Sequence, residues 1–265
     1  MESPDFDAFP ITHELLVKSA GYHEATATIL SLVLRRASTG YVRIEHDQLE
    51  ATFEDTPRCR ETWEAVRDSL SWTEDAQGGA WYRGDLPETA GEFERLWSLS
   101  DGLCGVHFVH EVALYDEDGW LFYAVPHHTY CWLRDSKGIF ISDVDDALAS
   151  QRACVLPAET TVEWTRDGRN YSIMGTSLCV ENGRLGTSNC YGLANLETVK
   201  ANERARTLSL AWHPDPIPGL VGRALMGAMS LVYNPSERLQ FEDEGNFRKV
   251  ESVLREIIDK REATA

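Results

Sequence analysis

Lysine is scarce in this chain: it supplies 5 of the 25 cationic residues, arginine supplies 20, and together they face 43 acids. The formal charge of −18 sets the field of the whole chain against polyanions, so indiscriminate binding to nucleic acid or to an anionic membrane is disfavoured. Arginine bias with acidity fits a GC-rich genome or a saline cytoplasm. Long apolar runs are missing as well. The longest, Gly219 to Tyr233, is broken by Arg223 and is shorter than the roughly 20 residues that cross a bilayer. No transmembrane helix is expected. Met1 to Pro10 carries Glu2, Asp5 and Asp7 and has neither the basic nor the apolar part of a secretory signal, so a cytoplasmic location is expected. The sequence has no GxxxxGK[ST], GxGxxG or GxSxG motif. His110-Glu111 is followed by Leu114 where a zinc-protease helix needs its second histidine. Common nucleotide and serine-hydrolase chemistries lose support.

What remains is an ordinary folded composition: 43% hydrophobic, 10% aromatic and 26% charged residues in 265, enough for one to three domains. The six cysteines, in a chain read as cytoplasmic, are expected to be reduced and mostly buried. Charge is uneven. Residues 1–80 hold 7 basic and 15 acidic groups, 81–160 hold 5 and 14, and 161–265 hold 13 and 14; within the last, 161–231 is net +1, so an anionic partner would dock more readily there, unless a small β domain simply needs fewer surface acids.

Periodicity and turn signals separate three regions, 1–91, 92–157 and 158–265, and the fold class is α+β. In the first, Ala27, Leu30, Leu34 and Ala37 make a helical stripe over Glu24 to Ala37, and Tyr41 to Ile44 reads as a strand. Glu45 to Phe53 is a second helix candidate. Pro57 opens a third, carrying Cys59, Trp63, Val66 and Leu70, and two short strands flank Gln77-Gly78-Gly79. Helix, strand, helix, helix, hairpin over residues 22–84 resembles the winged helix-turn-helix family in order and spacing. That resemblance implies a third helix facing DNA with Arg58, Arg60 and Arg67. Glu61, Glu64 and Asp68 share this helix, so protein docking and dimerisation stand beside DNA contact as roles for it.

In the middle region Phe93 to Leu99 reads as a short helix, and Val106 to Tyr115 with Trp120 to Leu133 as a hairpin about residues 116–119. Phe140 to Ser142 reads as a strand and Val144 to Ser150 as one or two helical turns. If the hairpin closes at 116–119, His107 falls opposite His128 and Cys104 opposite Cys131. Thiolates and imidazoles converging from two knuckles suit tetrahedral Zn²⁺, and the layout resembles a zinc ribbon with two cysteines replaced by histidines. The alternative is core thiols with histidines bonded across the hairpin.

In the last region Asp167-Gly168 and Asn182-Gly183 are hairpin turn signals between alternating runs. Tyr191 to Lys200, Arg206 to Trp212 and Leu239 to Phe241 add strands, and Phe247, Val250, Leu254, Ile257 and Ile258 form one face of a terminal helix over Asn246 to Asp259. Antiparallel strands closed by such a helix resemble the pleckstrin-homology-like superfold, a bent β sandwich or barrel sealed by its C-terminal helix. The resemblance implies anion recognition near the first hairpin, where Arg166 and Arg169 stand, or peptide docking. Residues 213–236 are an insertion in that pattern. Within it Leu220, Ala224, Met226 and Met229 repeat near helical spacing and form either a buried helix or a partner patch. The function expected is a non-catalytic intracellular regulatory or adaptor protein that docks protein partners, with DNA contact and self-association as options. The competing class is a zinc-dependent hydrolase centred on Cys104, His107, His128 and Cys131.

Overall fold

The computed structural model describes residues 10–45, 53–54, 57–74, 79–100, 108–182, 187–212 and 236–262. Within these the chain divides into two units, residues up to Leu15 with Tyr22–Ala147, and Leu16–Gly21 with Leu148 onward. Three antiparallel sheets and five α-helices account for the described residues, a mixed α+β architecture. No helix among them is long and apolar enough to cross a membrane.

The first unit is built on strands β1 (His13–Leu16), β2 (Thr39–Glu45), β3 (Ser71–Glu74), β4 (Gly79–Asp85), β5 (Val109–Asp116), β6 (Gly119–Val125) and β7 (Tyr130–Leu133). They lie in the order β3-β4-β2-β5-β6-β7-β1. Helices α1 (Ser19–Leu34), α2 (Pro57–Val66) and α3 (Ala90–Trp97) supply the cover. Because alternate residues of a strand face opposite sides, register assigns the faces. Tyr82, Val42, Val112, Ala124 and Cys131 align in one row. Against this side lie Trp63 of α2, edge-on to Tyr82 at 4.7 Å, and Phe93 of α3. Gly40 and Gly84 make room for that ring: a Cβ on Gly40 would stand 2.5 Å from Phe93 Cζ. The row on the other side reads Arg83, Tyr41, Ala113, Tyr123, Trp132, Glu14.

The winged-helix resemblance anticipated a domain ending near residue 91. Instead β2 is paired on one edge with β4 and on the other with β5, so strands on both sides of residue 91 share one sheet. The helix candidate Glu45 to Phe53 lies mostly outside the described residues. The long strand expected over Trp120 to Leu133 is two strands. Pro126 cannot donate to a ladder, so β6 stops at Val125, a 3₁₀ turn carries Pro126–His128, and Thr129 turns back with φ 55°. Phe140 to Ser142 is not a strand either: α4 (Ile141–Leu148) begins there. The Asp135 carboxylate accepts the backbone N–H groups of Ile139, Phe140 and Ile141 at 2.8, 2.8 and 3.0 Å, which satisfies donors that the first turn would leave open.

The second unit holds β8 (Cys154–Pro157), β9 (Thr160–Arg166), β10 (Arg169–Met174), β11 (Ser177–Asn182), β12 (Thr187–Gly192), β13 (Leu196–Asn202), β14 (Thr207–Trp212), β15 (Ser236–Gln240) and α5 (Glu244–Glu262). Its strands β9 to β12 form a four-stranded meander and β13 to β15 a three-stranded one. Helix α5 lies against β13, β14 and β9, and Phe247, Val250, Leu254 and Ile257 enter the same core as Trp164, Ile173, Leu208 and Leu239. Neither sheet closes into the expected barrel; the two share one core capped by the helix. The strand expected over Tyr191 to Lys200 is interrupted by a 3₁₀ turn, Leu193–Asn195. Arg261 at the end of α5 is 2% exposed and donates to the carbonyl of Ala194 at 2.6 Å.

One thiol expectation is corrected. Cys179 and Cys190 face each other directly across β11 and β12 and are joined in a disulfide. The described free cysteines, Cys59, Cys131 and Cys154, are buried as expected.

Candidate functional site

Of the four residues expected to hold zinc, Cys104 and His107 lie outside the described residues. Of the other two, Cys131 is buried and His128 exposed. Cys131 pairs with Ala124 of β6, and its thiol is buried on the helix-covered side, where burial pushes its pKa up and Thr26 of α1 is its neighbour. His128 is exposed in the 3₁₀ turn and stacks on Tyr130, which alternates with Cys131 and therefore faces the other way. Among the described residues no group of three or more His, Cys, Asp or Glu side chains is arranged to hold a metal.

The arginines singled out from sequence do not gather into a basic ridge. Arg58 and Arg60 are two residues apart on α2, about 200° around the helix. Arg60 lies with its guanidinium 4.8 Å from the centre of the Phe53 ring, and Arg67 pairs with Asp68 at 3.2 Å. In the second unit Arg166 and Arg169 oppose each other across a two-residue turn in which Asp167 and Gly168 both take positive φ, 50° and 76°. Arg166 is already paired with Asp167 at 3.2 Å and Glu242 at 3.0 Å. Leu220, Ala224, Met226 and Met229 lie outside the described residues.

What the structure assembles instead is a run of rings on the side of the first sheet opposite the helices. His128 stacks on Tyr130 at 5.5 Å, Tyr130 on Trp132 at 5.4 Å, and Trp132 lies against Tyr123 at 5.4 Å. Tyr130 is 48% exposed. Next to it the Tyr123 hydroxyl donates to the Glu111 carboxylate, whose other oxygen accepts from Arg43 at 3.3 Å. Burial, with the hydrogen bond to Glu111, pushes the Tyr123 phenol well above its ordinary pKa, so it stays a donor at any physiological pH. Tyr22 of α1 donates to the carbonyl of Tyr130 at 2.7 Å and so fixes the strand that carries the stack. The sequence signal for this strip was the alternation Tyr130, Trp132 in the very stretch read for its cysteine. Chemically the strip offers stacked apolar rings with polar tips, beside the hydrogen-bonded Tyr123, Glu111 and Arg43.

No protein-family model matches the chain, and no curated protein or solved structure matches it either.

Proposed function

We propose that this chain is a non-catalytic regulatory or adaptor protein and that it docks protein partners through the ring-bearing side of its first sheet. The observation that carries the reading is the four-ring run His128, Tyr130, Trp132, Tyr123, its last three rings on paired strands and Tyr130 left half in solvent. Tyrosine and tryptophan are enriched where proteins meet, because they bring large contact area and a polar tip at little cost in rotamer entropy. The DNA option has less behind it, since Arg58 and Arg60 diverge around α2 and Arg60 is turned onto Phe53.

A photo-crosslinking phenylalanine analogue placed at Tyr130, and as a control at exposed Met174, tests the reading in cells of the source organism. A discrete protein crosslinked from position 130 alone, whose purified form binds saturably and loses at least tenfold in affinity on Tyr130→Ala, supports docking. Equal crosslinking from both positions, or a partner indifferent to Tyr130→Ala, rejects it.

A further inference from the structure

A cleft of the first unit lies away from the ring strip, between the β5–β6 turn, the segment after β7 and the end of α1. It is half open to solvent, with a volume of about 190 Å³. Its floor is apolar: Leu121 and Phe140 are buried there, and Ile139, 60% exposed, stands at the rim.

The polar groups around this floor differ in what they have left to offer. Each acid is engaged. Asp135 accepts three backbone N–H groups, Asp116 accepts the N–H of Asp118 at 2.8 Å, and the Asp118 carboxylate pairs with Lys137. Arg134 is held in place by the carbonyls of Asp118 at 2.9 Å and Trp120 at 3.5 Å. Arg36 reaches over the floor, its guanidinium 6.0 Å from the centre of the Phe140 ring. It donates through Nη1 to the carbonyl of Leu32 at 3.2 Å and through Nη2 to Asp143. A guanidinium carries five donors, so these two bonds leave the group with capacity beside an apolar floor. A guanidinium reaching over an apolar floor suits a ligand that joins an anionic group to an apolar body.

We infer that this cleft binds a small carboxylate with an apolar body, the body on Leu121 and Phe140 and the carboxylate on Arg36. A charge-assisted bond between guanidinium and carboxylate fixes the orientation. The site is separate from the docking strip and does not depend on it.

Titration of the full chain with benzoate, benzamide, benzylamine and inorganic phosphate, followed by calorimetry or by NMR, tests the inference. Benzoate is expected to bind saturably, at least tenfold more tightly than the other three. Arg36→Gln should weaken benzoate tenfold or more, and Ile139→Asp, at an exposed position that leaves the core intact, should also weaken it. Arg95→Gln, away from the cleft, should change nothing, and circular dichroism should show all variants folded. Equal binding of benzamide, equal or tighter binding of phosphate, benzoate binding that survives both cleft variants, or no saturable benzoate binding would each overturn the assignment.

Discussion

Tyr123 and Trp132 face each other across β6 and β7 with ring centroids 5.4 Å apart, and this one cross-strand pair anchors the whole exposed strip. Trp132 is half-buried between Tyr123 and Tyr130, whereas Tyr130 stands 48% exposed. The two positions should therefore separate stability from recognition. Trp132→Ala is expected to cost roughly 2–3 kcal/mol, from lost burial plus two ring contacts. Tyr130→Ala should cost about 1 kcal/mol or less, since aromatic pairs contribute only ~0.5–1.5 kcal/mol beyond burial. Urea denaturation of both variants checks this; equal losses would mean that the outer ring is structural after all.

Close packing across the helix-covered side makes a sharper demand. A Cβ at Gly40 would meet the Phe93 ring within 2.5–2.9 Å, too near for any side chain. Gly40→Ala is expected to destabilise by about 1–3 kcal/mol, the usual cost of overpacking. The smaller ring substitute Phe93→Leu should be less harmful in the Gly40→Ala background than alone, with a coupling above ~0.5 kcal/mol. Strict additivity in that double-mutant cycle would show that the two positions do not touch.

Much of this architecture could be read from local chemistry, and the failures have identifiable causes. The hairpin at Asp167-Gly168 was legible because two consecutive positive-φ positions demand such residues, and α5 was legible because Phe247, Val250, Leu254 and Ile257 repeat at helical spacing. The break in the run Trp120 to Leu133 had its own signal in Pro126, overridden by the continuous apolar character of the flanking residues. At the hairpin tip Asp116 does pair with Gly119, but a bulge at Leu114 and Tyr115 shifts the register, and β7 folds back onto β6. Arithmetic that extends a hairpin past a proline thus set Cys131 opposite the wrong strand. The placement of β2 between β4 and β5 has no local signature at all, because such pairing is decided by which surfaces the helices cover. The same reason hid the ring strip: alternation puts Tyr130 and Trp132 on one face, yet only the assembled sheet shows that α1, α2 and α3 lie on the other.

The cysteines differ in what they will react with. Cys179 and Cys190, joined across neighbouring strands, should resist alkylation in the native, unreduced protein and appear as one crosslinked peptide by mass spectrometry. Reduction is expected to lower stability by about 3 kcal/mol, the chain-entropy value for so short a loop. Cys131, raised in pKa by burial, should alkylate only as the chain unfolds. Rapid native labelling of Cys131, or free thiols at both Cys179 and Cys190, would contradict the packing described.

Asp135 ties the loop after β7 to the start of α4, and its charge state should be visible in the pH dependence of stability. Burial alone would raise its pKa, but the N–H groups of Ile139, Phe140 and Ile141, helped by the nearby His13, outweigh burial and hold the carboxyl below its ordinary value. A group whose pKa is lower folded than unfolded contributes stability at pH values above the unfolded pKa, near 3.9, and loses it as pH falls through the folded pKa. Asp135→Asn keeps the size of the side chain but sets an amide N–H₂ against backbone donors. It should therefore cost about 1–3 kcal/mol at neutral pH. The difference between native protein and variant should be constant above pH 5 and shrink below pH 4, where the native carboxyl takes up its proton. Denaturant midpoints of the two proteins measured from pH 2 to pH 7 decide the matter: a gap that widens towards acid would mean that Asp135 is folded in its protonated form and caps nothing.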